Sequence, residues 1–555
     1  MRKLLLTLAA ISLGLVAGPA ATLAQNAGQE DLDKATELQI TAETLGELEQ
    51  VIKLAETALD KGLDKGQTEF AKKLLGATLF QHAERSARSV FEQIPPSRNW
   101  RSIRDQGMKN LAKAKKFDPT LPDVYLLEAK FQALPGGETR DAIAALDEAI
   151  KLLKPKDQPK QLADAYVLRA QFLEDDERKL ADYDEALKVQ PKHVAARQAR
   201  ALHYLTKGEN EKAIADFQKL LEQDADNPGV IAELARALIL NKKFDEAMKY
   251  CEEVIKLAPK ATEGYKLRAQ LRWIKEDTKG ALEDLGEALS INPNDISGLL
   301  MRCRLYASEK KDALAKADLD RVLRLRPDLP QAIELRSTMA ALKQNYADAI
   351  ADIQTLLQGD PTNPELRLQL ASYYVGDKRP RKAIELITSV IDGLADDKDA
   401  GAKENKADAL RQRGDALLSV GKHADAVKDY EEALKLDPND TGVLNNLAWV
   451  LATSPDDPVR NAKRSLECSL KACELTKYEK PHILSTLAAG YAEQGDWETA
   501  IKWSGKAVEL GVEEVMVDDQ LKKELQSYKD KKPWREKQEV EENTKPLGKK
   551  SDLET

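Results

Sequence analysis

The sequence predicts an all-α protein, a solenoid of antiparallel helix pairs, and three observations carry that expectation. A ruler of 34 residues runs along the chain: Ala213, Ala247, Ala281, Ala315, Ala349 and Ala383 stand one period apart. Four places after each comes a larger apolar residue, in turn Phe217, Cys251, Leu285, Leu319, Ile353 and Ile387. Twelve places before each sits a small one: Ala201, Ala235, Ala269, Cys303, Ser337 and Ala371. Several tracks held in phase mark stacked supersecondary units. Composition agrees. At 555 residues the chain exceeds the ~250–300 at which a single core stops growing. Its 32% charged and 5% aromatic residues suit many exposed helix faces.

The physics of the period is a helical hairpin. Small residues at the eighth and twentieth places let two helix backbones approach, and the larger residue at the twenty-fourth fills the gap to the next pair. Pro259, Pro293, Pro327 and Pro361 keep the 34-residue step and stop the second helix. Asn227-Pro228 and Asn363-Pro364 restart the chain, with Asn as N-cap and Pro at the first helical position. One hairpin cannot bury its apolar face alone, but a stack of them can. With these tracks, and with stretches such as KHADAVKDYEEALKLDPND (422–440) and STLAAGYAEQGDWETAIKWSGKAVEL (485–510), the sequence resembles the tetratricopeptide repeat family. The resemblance implies a right-handed superhelix of about twelve repeats, beginning near 69, 122, 163, 194, 228, 262, 296, 330, 364, 407, 441 and 481.

Taken in order, residues 1–24 read as a secretory signal peptide. Met1-Arg2-Lys3 is cationic, Leu4 to Ala17 is apolar apart from Thr7 and Ser12, and Thr22-Leu23-Ala24 offers small residues before a cleavage at Gln25. A stretch of fourteen residues is too short to span ~30 Å of hydrocarbon. The expected product is exported, periplasmic or secreted, with no stable membrane insertion. Residues 25–68 are read as an N-terminal helical cap, with Leu48, Val51, Ile52, Ala55 and Leu59 at helical spacing. Residues 69–193 hold divergent repeats, with an insertion at Ile94-Pro95-Pro96, and 194–397 hold the six regular ones. A polar linker is expected at 398–406, further repeats at 407–514, a capping helix at 515–530 and a disordered charged tail at 531–555.

No catalytic chemistry is encoded locally. A Gly-rich phosphate loop, a Gly-x-Ser-x-Gly elbow and a His-Glu-x-x-His helix are all missing from the sequence. His82, His193, His203, His423 and His482 scatter over different repeats. Cys251 and Cys303 take packing places, and Cys468 and Cys473 stand five apart on one expected helix, so neither a disulfide nor a zinc site is expected. Cofactor and metal are both expected to be none. A net charge of −9 without a basic stripe argues against nucleic acid.

One polar pattern stands out. Six repeats carry arginine at the seventh place, Arg169, Arg200, Arg268, Arg302, Arg336 and Arg413; the same six carry aspartate at the twenty-third, Asp182, Asp216, Asp284, Asp318, Asp352 and Asp429. Either the arginines form a ladder for a ligand, or each hairpin is closed by a partly buried Arg–Asp clasp. The co-occurring acid favours the clasp.

The family resemblance implies that places 2, 5, 9, 12 and 13 of the first helix line the concave side. They give Arg236, Lys266, Gln270, Trp273, Arg304, Arg411, Asn445 and Trp449, a mixture of Trp and Arg suited to an extended peptide. Trp273 and Trp449 pack between repeats in the alternative reading. Lys266 and Asn445 fall in different repeats, so the carboxylate clamp of chaperone-binding members is not complete. The expected function is a non-catalytic protein-interaction scaffold with a protein or peptide partner. The alternative is a non-catalytic accessory subunit of an envelope enzyme, secretion or polysaccharide machine.

Overall fold

The computed structural model describes residues 27–93, 98–394, 400–511, 518–536 and 542–544. The chain is 79% helix, with 27 helices and no strand among the described residues. It divides into two compact units, Met1–Ile291 and Asn292–Thr555. The expected signal peptide at 1–24 lies outside the described residues.

The first unit is a row of seven helix pairs: Gln29–Thr41 with Leu45–Lys61, Lys65–Phe91 with Trp100–Phe117, Pro122–Gln132 with Thr139–Leu153, Pro159–Phe172 with Asp176–Val189, Val194–Thr206 with Asn210–Leu221, Pro228–Leu240 with Phe244–Leu257, and Thr262–Ile274 with Thr278–Ile291. The second holds six: Ile296–Ser308 with Asp312–Leu325, Pro330–Leu342 with Tyr346–Leu357, Pro364–Gly376 with Pro380–Gly393, Ala400–Ser419 with His423–Leu436, Thr441–Thr453 with Ala462–Leu475, and Pro481–Gln494 with Trp497–Gly511. Asp518–Lys529 closes that unit. Within each unit every helix packs on its hairpin partner, and second helices pack on the first helix of the following pair. Some first helices of neighbouring pairs also touch each other directly, as Pro228–Leu240 does Thr262–Ile274 and Thr441–Thr453 does Pro481–Gln494.

The sequence tracks explain the packing. The six ruler alanines, the small residues twelve places before them and the larger residues four places after are all buried. Where the eighth place shrinks to Gly414, the twenty-fourth grows to Tyr430; a Cβ on Gly414 would sit 2.5 Å from the Tyr430 ring, which is completely buried. Side-chain oxygens of Asn227 and Asn363 accept from the Val230 and Leu366 amides at 3.2 and 3.0 Å, and the following prolines open the helices. The turn inside the hairpin uses the left-handed region on the same ruler: Lys242, Glu276, Lys310, Gln344 and Lys378 have φ between 56° and 63°.

Three expectations are corrected. The N-terminal cap is a hairpin, Gln29–Thr41 with Leu45–Lys61, because Leu32, Ala35 and Gln39 supply a buried face to a second helix. Of the polar linker expected at 398–406, residues 400–406 form the opening turns of the twenty-residue helix Ala400–Ser419. Ala, Lys and Glu are good helix formers, so polarity there marks an exposed helix face. Residues 531–536 and 542–544, expected as disordered tail, hydrogen-bond back onto the second unit.

Candidate functional site

The arginine and aspartate of each pattern-bearing hairpin meet. In every case the Arg Nε and Nη2 donate side-on to the two oxygens of one carboxylate. The distances are 2.9 and 2.5 Å for Arg169–Asp182, 2.8 and 2.7 Å for Arg200–Asp216, and 2.9 and 2.6 Å for Arg268–Asp284. They are 2.7 and 2.7 Å for Arg302–Asp318, 2.7 and 2.8 Å for Arg336–Asp352, and 2.7 and 2.7 Å for Arg413–Asp429. All six aspartates are buried, while the arginines keep about a fifth of their side-chain surface. The aspartate hydrogen bond holds the Arg268, Arg302 and Arg413 guanidinium groups above their ordinary value. A charge already satisfied by two short bonds is poorly placed to receive a ligand.

Extra partners were not legible in the pattern. Arg169 also donates to Asp147 and Arg200 to Asp184, both at 2.6 Å, while Arg413 reaches Thr388 at 3.1 Å. These tie a hairpin to the second helix of the preceding one. Arg272 adds a second cation to Asp284 at 3.0 Å, and Arg197 one to Asp216 at 3.2 Å.

The residues nominated for a partner are differently placed. Glu263 gathers two of them, Arg236 from the neighbouring hairpin and Lys266 at 3.1 Å. Gln270 is half-buried, whereas Trp273 keeps 37% of its surface exposed and Arg304 is exposed. Arg411 pairs with Asp408 and, at 3.7 Å, with Asp415, which also accepts from the Tyr430 hydroxyl at 2.6 Å and the Asn446 amide at 2.9 Å. Asn445 donates to Asn446 at 3.4 Å. Trp449 is half-buried, and its indole N–H donates to the Glu536 carboxylate.

A groove in the divergent repeats was missed by the sequence reading. It has a volume of about 500 Å³ and lies among the first helices Lys65–Phe91, Pro122–Gln132 and Pro159–Phe172. Phe80, Leu126, Leu127, Val167 and Leu168 supply its apolar wall, with Glu84, Asp123, Asp164 and Lys130 among its polar groups. Asp123 accepts from Gln161 at 2.5 Å, and Asp164 pairs with His193 at 2.9 Å. Insertions had blurred the register there, so no place number pointed to these residues.

The four cysteines are free and buried. Burial pushes the Cys251, Cys303 and Cys473 thiols up to about 12 and Cys468 to about 11, which keeps them unreactive at neutral pH. No group of three or more His, Cys, Asp or Glu among the described residues could hold a metal ion.

Stacked hairpins with an open groove on their first helices define a helical-repeat interaction protein. The chain contains tetratricopeptide repeats: one model of that family matches residues 204–271 and 340–406, and a second matches 407–440. Such repeats build protein-interaction scaffolds, a fold that is generally non-catalytic. No curated protein matches the chain in sequence. Among solved structures, a tetratricopeptide repeat protein from Parabacteroides merdae is 18% identical, covering 46% of this chain and 98% of its own, with a TM-score of 0.36. Yeast Tom70 is 14% identical over 91% of this chain and 96% of its own, with a TM-score of 0.37. The C-terminal part of a tetratricopeptide repeat-containing protein from Cytophaga hutchinsonii is 16% identical, covering 46% and 98%, with a TM-score of 0.35.

Proposed function

We propose that this protein is an exported, non-catalytic scaffold that holds an extended segment of a partner protein along its row of first helices. The observation that carries this reading is the groove of about 500 Å³ bounded by three successive first helices. An apolar wall with polar groups around it is the usual anatomy of a site for side chains of a peptide. Several first helices of neighbouring pairs within each unit touch, which supports taking the first helices as the inner, partner-facing side of that unit. Exposed Trp273 in the first unit and exposed Arg304 in the second each sit on a first helix, and both are of the residue types that anchor interfaces.

The test is capture from an envelope extract by the full-length protein and by the double variant Leu168→Ala with Lys130→Glu. Leu168 is half-buried and Lys130 exposed, so helicity should be kept. The expected result is a captured protein lost at least tenfold by the variant. Equal capture by both would place the partner elsewhere. Export rests on the residues before Gln25, and N-terminal sequencing of native material should begin at Gln25; an intact Met1 would remove that part of the reading.

A further inference from the structure

Residues 534–536 are joined to first helices of the second unit by contacts that a free tail would not make. Trp534 packs against the buried cluster that holds Ala452, Ala488, Ala489 and Tyr528, and Trp449 packs against the same cluster. Arg535 donates from Nη2 to Glu493 at 2.6 Å and from Nη1 to the Ala452 carbonyl at 3.2 Å. The Glu536 amide donates to the Thr453 carbonyl at 3.0 Å, and its carboxylate accepts from the Trp449 indole.

These bonds complete a helix end. The last four carbonyls of a helix have no partner inside it. At the end of Thr441–Thr453, the Val450 carbonyl takes the Ser454 amide at 3.0 Å and Leu451 takes Asn461 at 2.8 Å. Ala452 and Thr453 are served by the tail alone among these bonds, and the partial negative charge at a helix C-terminus favours the guanidinium placed there. Farther along, Glu542 accepts from Arg381 at 2.8 Å, and Asn543 meets Asp377 and the Lys378 carbonyl at 3.2 and 2.8 Å. Arg381 is two-thirds exposed, so this outer anchor is weak and screened by salt.

We propose that residues Trp534 to Glu536 are an internal occupant of a separate peptide site on the first helices of the second unit. In this account the partner that displaces them is a peptide presenting an aromatic residue, then arginine, then an acid. The inference rests on the reading that the first helices receive the partner. Its chemistry comes from the acceptors present: an apolar slot beside Trp449, a helix C-terminus and the Glu493 carboxylate for a guanidinium, and an indole N–H for a carboxylate. Trp449, nominated from sequence as a partner anchor, is thereby covered by the chain's own tail. Binding is then autoinhibited, and loosening the exposed Arg381–Glu542 anchor favours release.

The experiment uses the full chain and a fluorescein-labelled peptide of this chain's own sequence, KKPWREKQEV (531–540), with a scrambled control. Wild type is compared with the triple variant Trp534→Ala, Arg535→Ala, Glu536→Ala by fluorescence anisotropy. The expected result is at least tenfold tighter peptide binding by the triple variant, lost again when Trp449→Ala is added, with no binding of the scrambled peptide. Equal affinity for wild type and variant, or no saturable binding to the variant, would overturn the proposal. If circular dichroism shows that the triple variant loses helix, the decision passes to Arg381→Ala with Asn543→Ala, which disturbs only the outer anchor. That variant should bind the peptide at least threefold tighter than wild type, and unchanged binding would overturn the proposal. Because the probe comes from this chain, its failure with partner capture intact removes the tail's role alone. Loss of groove-dependent capture with peptide binding intact removes only the groove reading.

Discussion

Removing Arg302 should destabilise its hairpin far more than removing Arg268 destabilises another, although the two clasps share one geometry. Asp318 receives both of its clasp bonds, each 2.7 Å, from Arg302, and its side chain is 8% exposed. Arg302→Ala therefore strands a carboxylate with little access to water. Stranding a buried charge costs ~3–5 kcal/mol, while an exposed pair is worth ~0–1. Arg302 keeps 24% of its side chain in solvent, so the pair lies between those limits, and the loss should be about 2–3 kcal/mol. Asp318→Ala frees a guanidinium that can turn outward and should cost less, about 1–2 kcal/mol. At Asp284, Arg272 stands 3.0 Å away as a second cation, so Arg268→Ala should cost only about 1 kcal/mol. Because a repeat array opens locally, native-state hydrogen exchange of the full chain is the suitable assay. In the helices Ile296–Ser308 and Asp312–Leu325, Arg302→Ala should speed exchange roughly 30- to 150-fold. A double-mutant cycle on Arg302 and Asp318 should give a coupling of about 1–2 kcal/mol. A coupling below ~0.5 kcal/mol would refute the clasp as a stabilising element and return the arginines to the ligand ladder.

Glu276→Gly and Lys310→Gly should each stabilise the chain by about 0.5–1 kcal/mol, because a left-handed residue with a Cβ costs ~1–2 and glycine returns part of that gain as entropy; chemical denaturation reads the change, and a loss on either substitution contradicts it. Burial pushes the Glu524 carboxyl above its ordinary 4.5, where it accepts from Ser485 and, at 2.8 Å, from Gln520. The folded chain then holds that proton more tightly than the unfolded one, so its contribution is full below pH 4.5 and is lost as pH rises through the folded value. Glu524→Gln should gain in melting temperature over wild type as pH rises from 4.5, and a pH-independent difference would contradict the shift.

The hairpin period was legible because its packing places admit only small or only apolar residues, as at Ala281 and Leu285. The clasps were legible for the same reason: arginine and aspartate had to vary together. The hairpin turns were harder to read. Its left-handed place is taken by Gly208 in one repeat and by Lys242, Glu276 and Lys310 in the next three, so local propensity did not mark it. The helix over 400–406 was hidden by its polarity, although Ala402, Ala409 and Leu410 give that helix a buried face. The groove around Leu127 and Val167 lies where insertions break the ruler, and there no numbering of places survives. The tail at Trp534 left one signal, a lone aromatic in a charged segment, and the tail's partners are up to 166 residues away along the chain.

Hydrogen–deuterium exchange of the full-length protein with and without its captured partner addresses the central claim most directly, because it reports which row of helices is covered. Binding along the inner row predicts new protection in first helices such as Pro122–Gln132, Pro159–Phe172 and Thr262–Ile274, with their hairpin mates unchanged. Protection confined to second helices such as Thr139–Leu153, Asp176–Val189 and Thr278–Ile291 would contradict it.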